Sequence, residues 1–190
     1  MYKFVKKTFL NSLLLKNEQC SHTNYALNLE LQEMTGHFNQ QVITNQRLNY
    51  LLAERCYGHQ IYLKHTSKHE EVLISMDFKV QQLEIFDLVN VPPHQARALL
   101  IWWQRDGDEI YIKDIQGGNN KGHGSLGLTM LINWCLENDI KRLYGFLVDQ
   151  DRDHADRLIH FYHKMGFQLT LFNDSTKRNE YAMIERFFNP

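Results

Sequence analysis

Residues 109–125 read EIYIKDIQGGNNKGHGS, and the rest of the chain is read outward from this stretch. The segment 109–115 mixes β-branched, aromatic and charged residues as a strand does, and a turn-rich run with glycines at 117, 118, 122 and 124 follows. Beyond it, Leu128, Leu131, Ile132 and Cys135 fall at i, i+3, i+4 and i+7, which is one apolar stripe of a helix. A strand, a glycine loop and a helix N-terminus in succession make an anion site. Gly122 and Gly124 let the backbone approach a ligand, and the first N–H groups of a helix are free to point at a phosphate. A plain strand-to-helix connection has the same local signature, so the decision falls to the second half of the chain.

The 190 residues suggest one domain, and 43% hydrophobic with 23% charged residues is an ordinary globular composition. A net charge of −1 supplies no global field for nucleic acid or an anionic membrane, and neither is expected as a partner. Cys20, Cys56 and Cys135 are too scattered for a disulfide framework or a zinc site, which fits a reducing, cytoplasmic setting. Lys3, Lys6 and Lys7 before the apolar run 9–15 imitate a secretion signal, but Asn11 interrupts the run and no small-residue cleavage site follows. No run is long enough to cross a bilayer. His154, His160 and His163 share a helix without a bracketing carboxylate set, so they read as solvated histidines and no metal is expected.

In chain order, residues 25–31 (YALNLEL) alternate like a first strand, and Thr44 is placed to cap a helix that turns Leu48, Leu51 and Leu52 inward and ends before Gly58. Strands are expected at 59–65, 72–80 and 83–89, with Val72, Ile74, Met76, Phe78 and Val80 on one face and Pro92-Pro93 ending the meander. Asp106-Gly107 between 99–105 and 109–115 is a hairpin signal. Within that hairpin Trp102 and Trp103 point to opposite faces, and alternation sets Asp114 opposite Glu109. Then come the helix near Gly124, a strand at 142–148, and a helix at 153–165. That helix carries Leu158, Phe161, Tyr162 and Met165 on one stripe, pairs Asp153 with Arg157 and Asp156 with His160, and closes at Gly166. Strands at 167–172 and 181–188 finish the chain, and their apolar edge offers a surface for a homodimer.

Two motifs now resemble one family, the GCN5-related N-acetyltransferases (GNAT). Its phosphate loop reads Gln/Arg-x-x-Gly-x-Gly/Ala between a strand and a helix, and Asn119-Asn120-Lys121-Gly122-His123-Gly124 followed by Ser125 is similar. Its later helix ends in Tyr-x-x-x-Gly-Phe, as Tyr162 to Gly166-Phe167 do here. Asn119 departs from the usual Gln or Arg, and 149–154 lacks the Asn the family often has after the preceding strand. The resemblance covers 97–188 of a single domain spanning 1–190; the first 96 residues are divergent and would supply acceptor-side elements.

The resemblance implies an α/β (α+β) fold with a mixed, mostly antiparallel twisted sheet flanked by helices. It implies acetyl-CoA as co-substrate, its pyrophosphate on Asn119, Asn120, Lys121, Gly122, His123, Gly124 and Ser125, and its pantetheine between the splayed strands 109–115 and 142–148. A backbone N–H near Ile115 would polarise the thioester carbonyl. Tyr162 would protonate the departing thiolate, and Glu109 would serve on the acceptor side. Each has a plainer reading: Tyr162 as a core aromatic, Glu109 as a solvated charge at a hairpin end, Ser125 as a helix cap, Lys121 as a surface lysine, His123 as a loop residue offering its backbone only. The acceptor is an amine, of a small molecule or a protein. The rival is a non-catalytic acyl-CoA sensor or interaction module on the same scaffold.

Overall fold

The computed structural model describes residues 2–55, 58–88, 97–118, 120–172 and 179–188. They fall into two units, Met1–Gln46 and Arg47–Pro190. Asn119 and Pro92-Pro93 lie outside the described residues.

The first unit is helical throughout, because helix α1 runs without a break over Tyr2–Arg55. The strand expected at 25–31 is therefore helix. Alternation over seven residues also fits two helical faces, and a strand at this place would need a ladder partner. Ala, Leu and Glu in the segment favour helix on their own propensity. Thr44 lies inside α1 and caps nothing. Interior threonines are accommodated by bonding back to the turn behind them: the Thr23 hydroxyl donates to the Gln19 carbonyl at 2.9 Å and the Thr35 hydroxyl to that of Leu31 at 2.7 Å.

In the second unit, eight strands among the described residues form one sheet in the order β1-β2-β3-β4-β5-β6-β8-β7. These are β1 His59–His65, β2 Glu71–Asp77, β3 Gln82–Asp87, β4 Arg97–Asp106, β5 Glu109–Gly117, β6 Arg142–Val148, β7 Gln168–Leu171 and β8 Glu180–Phe187. Every neighbouring pair is antiparallel except β5 with β6. Helix α2 (His123–Glu137) makes the crossover that a parallel pair requires, and α3 (Ala155–Lys164) follows β6 after a 3₁₀ segment, Asp149–His154. The fold is thus the mixed, mostly antiparallel sheet with flanking helices that the resemblance implies.

Two apolar clusters cover opposite faces of the sheet. Leu128, Leu131, Ile132 and Cys135 of α2, all buried, join Ile74, Ile85, Ile101 and Trp103 on one face. On the other, Leu51 packs with Leu73, Phe86 and Leu88, and Leu48 and Leu52 lean on the same cluster, the three inward leucines expected of this stretch. Residues 72–76 are accordingly all buried, those on the face of Val72, Ile74 and Met76 and those on the face of Leu73 and Ser75 alike. β2 also stops at Asp77 instead of reaching Val80, because the Asp77 carboxylate accepts hydrogen bonds from the Lys79 and Val80 amides (2.8 and 3.2 Å) and turns the chain.

Two further expectations are corrected. The β4–β5 hairpin pairs Asp106 with Glu109, so its loop is Gly107-Asp108, one residue later than expected, with Gly107 at φ +61°. At the C-terminal end, 149–154 is 3₁₀ and α3 starts at Ala155; Arg152 bonds Asp149 at 2.7 Å, and neither the 153/157 nor the 156/160 pair forms among the described residues. Gly166 closes α3 at φ +79° as expected.

Candidate active site

The β5–β6 ladder runs only from Glu109 opposite Arg142 to Ile112 opposite Gly145. Two local features end it. On β5, Trp103 pairs with Ile112 but Trp102 pairs with Asp114, so Lys113 is an extra, bulged residue. On β6, Gly145 meets β5 so closely that a Cβ there would stand 3.1 Å from the Ile112 carbonyl oxygen. Past this point β5 stays with β4 and β6 with β8, and the gap between them is a cleft of about 380 Å³. Asp114 and Ile115 line one side, Phe146, Leu147 and Val148 the other, and Leu158, Phe161 and Tyr162 of α3 close it.

The glycine loop forms one end of the cleft through Gly117, Gly118, Asn120, Gly122, Gly124 and Ser125. Its path is one that only glycine follows at two positions. Gly117 has φ +97° and would set a Cβ 2.4 Å from the Ala98 carbonyl oxygen; Gly122 has φ +89° and would set one 2.5 Å from the Ser67 hydroxyl. Gly122 is the left-handed N-cap of α2 and no side chain caps the helix, so Ser125 is not the cap and the first-turn amides are left for a ligand.

His123 does not stop at offering its backbone. Its ring is buried at 1% exposure and faces Asp87, with Nε2 2.8 Å from Oδ1 but without the alignment of a hydrogen bond. Glu70, Asp87 and His123 hold their polar atoms within 4.8 Å of one another, the one group of metal-ligand types this close among the described residues. A cation lies near each of the two acids. Lys121 Nζ is 3.2 Å from Glu70 Oε1, and the buried Arg47 donates to the Asp87 carbonyl at 3.4 Å. Burial lowers the Arg47 pKa and the Asp87 charge opposes that shift. Lys121 and His123 thus tie the loop to β3 and to the turn before β2, and neither lines the cleft.

Tyr162 lies on the cleft wall, edge-on to Phe161 and Phe167 at ring-centre distances of 5.1 and 5.5 Å. Burial, then the charges of Asp151 and Asp114 and the Tyr181 phenol, push its pKa well above the usual phenol value, so the hydroxyl stays protonated. Glu109 sits at the paired end of β5, 3.5 Å from Arg142, and is not among the described residues lining the cleft. Asp114 is. The bulge at Lys113 shifts the alternation, and Trp102 and Asp114 now share a face with Tyr111 and Glu109, against the expectation from simple alternation. The expected split of the tryptophans holds, with Trp103 at 2% exposure and Trp102 at 40%. Lys113, Asp151, His154 and Arg157 also line the cleft and were missed as site residues, since only the tertiary course of β5 and α3 brings them there.

No family model matches this sequence. Over 112 residues it is 37% identical to the uncharacterized protein YocC of Bacillus subtilis (strain 168), a match that covers 57% of this chain and 67% of YocC. The chain belongs to the family of YocC. It is also similar to solved structures at lower identity. Ard1 from Thermoplasma volcanium aligns at 14% identity and a TM-score of 0.43 over 60% of this chain and 74% of its own. A GNAT-family acetyltransferase from Staphylococcus aureus Mu50 aligns at 18% and 0.43 over 57% and 69%.

Proposed function

We propose that this member of the YocC family is an acyl-CoA-dependent N-acetyltransferase that moves an acetyl group from acetyl-CoA to an amine by direct attack. The observation that carries this reading is the fork between β5 and β6, with a glycine loop and helix N-terminus at one end and the Tyr162 hydroxyl on its wall. The loop amides and the α2 N-terminus suit a pyrophosphate, with Arg157 and Lys113 as cations lining the same cleft. The unpaired edge of β5 near Ile115 offers backbone groups to an extended pantetheine and an N–H to the thioester carbonyl.

In the reaction the amine lone pair forms the C–N bond, the C–S bond breaks, and the sulfur leaves as thiolate with Tyr162 as its proton donor. The proton lost from the amine goes to a carboxylate or through water to solvent. Asp114 and Asp151 are the carboxylates that line the cleft; Glu109, held by Arg142, would act on the acceptor from outside it. Acetyl-CoA as co-substrate is consistent with a cytoplasmic enzyme.

The test is release of free CoA from acetyl-CoA against a panel of amines, from polyamines to lysine peptides. Tyr162→Phe should lower turnover about 10²–10⁴-fold while leaving the affinity for CoA unchanged. Undiminished turnover in that variant would remove Tyr162 from the chemistry. Acetyl-CoA binding with no turnover on any amine would favour the acyl-CoA sensor, a reading the withdrawal of Glu109 from the cleft also supports.

A further inference from the structure

Every residue of α1 from 21 to 39 is exposed. A helix of this kind does not persist alone in water: isolated helices are marginal even in alanine-rich sequences, and this stretch carries Asn, Thr, His and Gly, which are poor helix formers. Its large apolar residues include Leu27, Leu31, Met34 and Phe38, exposed by 56, 62, 63 and 65% and spaced by four, three and four. That spacing is a heptad seam, with Leu31 and Phe38 at a and Leu27 and Met34 at d.

The register continues in both directions. Going back, d falls on Cys20 and Leu13 and a on Asn24, Asn17 and Leu10; going forward, d falls on Gln41 and a on Asn45. The next two positions, Leu48 and Leu52, are already taken, since they lean on the cluster of Leu73, Phe86 and Leu88. Among the described residues the seam is therefore without a partner from Asn24 to Asn45.

We infer that the partner is α1 of a second copy, forming a parallel, in-register two-stranded coiled coil. Asn at a is the residue that specifies two strands and a fixed register, because its amide is satisfied by its counterpart at the same height. Here it recurs at Asn17, Asn24 and Asn45. The flanking e and g positions from 23 to 42 are Thr23, Asn28, Glu30, Thr35, His37 and Val42. In a parallel pair Glu30 meets Thr35 of the other copy, so no like charges oppose self-association.

Sedimentation equilibrium of the full chain at micromolar concentration should give twice the 22.6 kDa chain mass. Leu31→Glu with Phe38→Glu should raise the dimer dissociation constant at least tenfold. Leu29→Glu with Ile43→Glu, which removes two other exposed apolar residues from the outer face, should leave it unchanged. In a Cys20→Ser, Cys56→Ser background, copper phenanthroline should oxidise the thiols of a Leu27→Cys variant to an intermolecular disulfide, since d-position partners of a parallel pair lie within disulfide reach. A monomeric wild type overturns the inference, as does equal loss in both double variants. A dimer in which the Leu27→Cys variant forms no crosslink overturns the parallel register.

Discussion

Tyr162 gains its value from being kept neutral. Buried between Phe161 and Phe167 and near the charges of Asp151 and Asp114, its hydroxyl remains a donor across the range in which an amine is deprotonated enough to attack. Turnover should therefore show no alkaline limb from this group up to pH 10, which a pH–rate profile checks; a fall with an apparent pKa near 9 that vanishes in Tyr162→Phe would contradict the assignment. Gly122 is as demanding in another way, since an alanine there would take φ +89° and push its Cβ against the Ser67 hydroxyl. Gly122→Ala should cost about 1–3 kcal/mol by denaturant unfolding and weaken CoA binding. Gly122, Ser125 and Tyr162 were legible because the motif spacing carries them to the cleft. The face on which Asp114 lies and the contact of the His123 ring were not, since one depends on a bulge and the other on a carboxylate 36 residues earlier in the chain.

The elements differ in how openly their residues announce them. β6 and the buried face of α2 follow from alternation or the i, i+3, i+4 pattern, because each buries the face its sequence marks. The segment 25–31 misleads because its alternation is cut from a longer helix, in which Tyr25, Leu27, Leu29 and Leu31 are all exposed. Gly36 marks the weak point of that helix: it lies within α1 and nothing stands within 4 Å of where its Cβ would be. Gly36→Ala should raise helix content by far-UV dichroism and add about 1 kcal/mol to helix stability; a loss of helix would show that Gly36 makes a close approach to another chain. In α2, Leu128 is fully buried, and Leu128→Ala should cost about 2–5 kcal/mol, read as a lower unfolding midpoint at unchanged slope.

Across the second unit the buried acids share one direction of shift. Burial pushes the Cys135 thiol up to about 12 from 9.0, and Tyr162, Tyr111 and Tyr181 are raised by burial as well. A raised folded-state pKa means that stability is fully present below the unfolded value and is lost as pH rises above it, because the unfolded chain then ionises and the folded one cannot. Unfolding by urea should thus grow easier between pH 9 and pH 12, with Cys135 alone contributing about 1 kcal/mol per pH unit. Cys135→Ala should flatten that slope while lowering stability at pH 7; an unchanged slope would mean the thiol is not the group responsible. The proposed function turns on the fork between β5 and β6. Calorimetric titration with acetyl-CoA and with CoA tests it most directly, using the wild type and Gly124→Glu, whose side chain would enter the loop beside Phe161. Saturable binding of both ligands, abolished or weakened at least tenfold in Gly124→Glu, is the predicted result; absence of binding, or binding indifferent to Gly124→Glu, would contradict it.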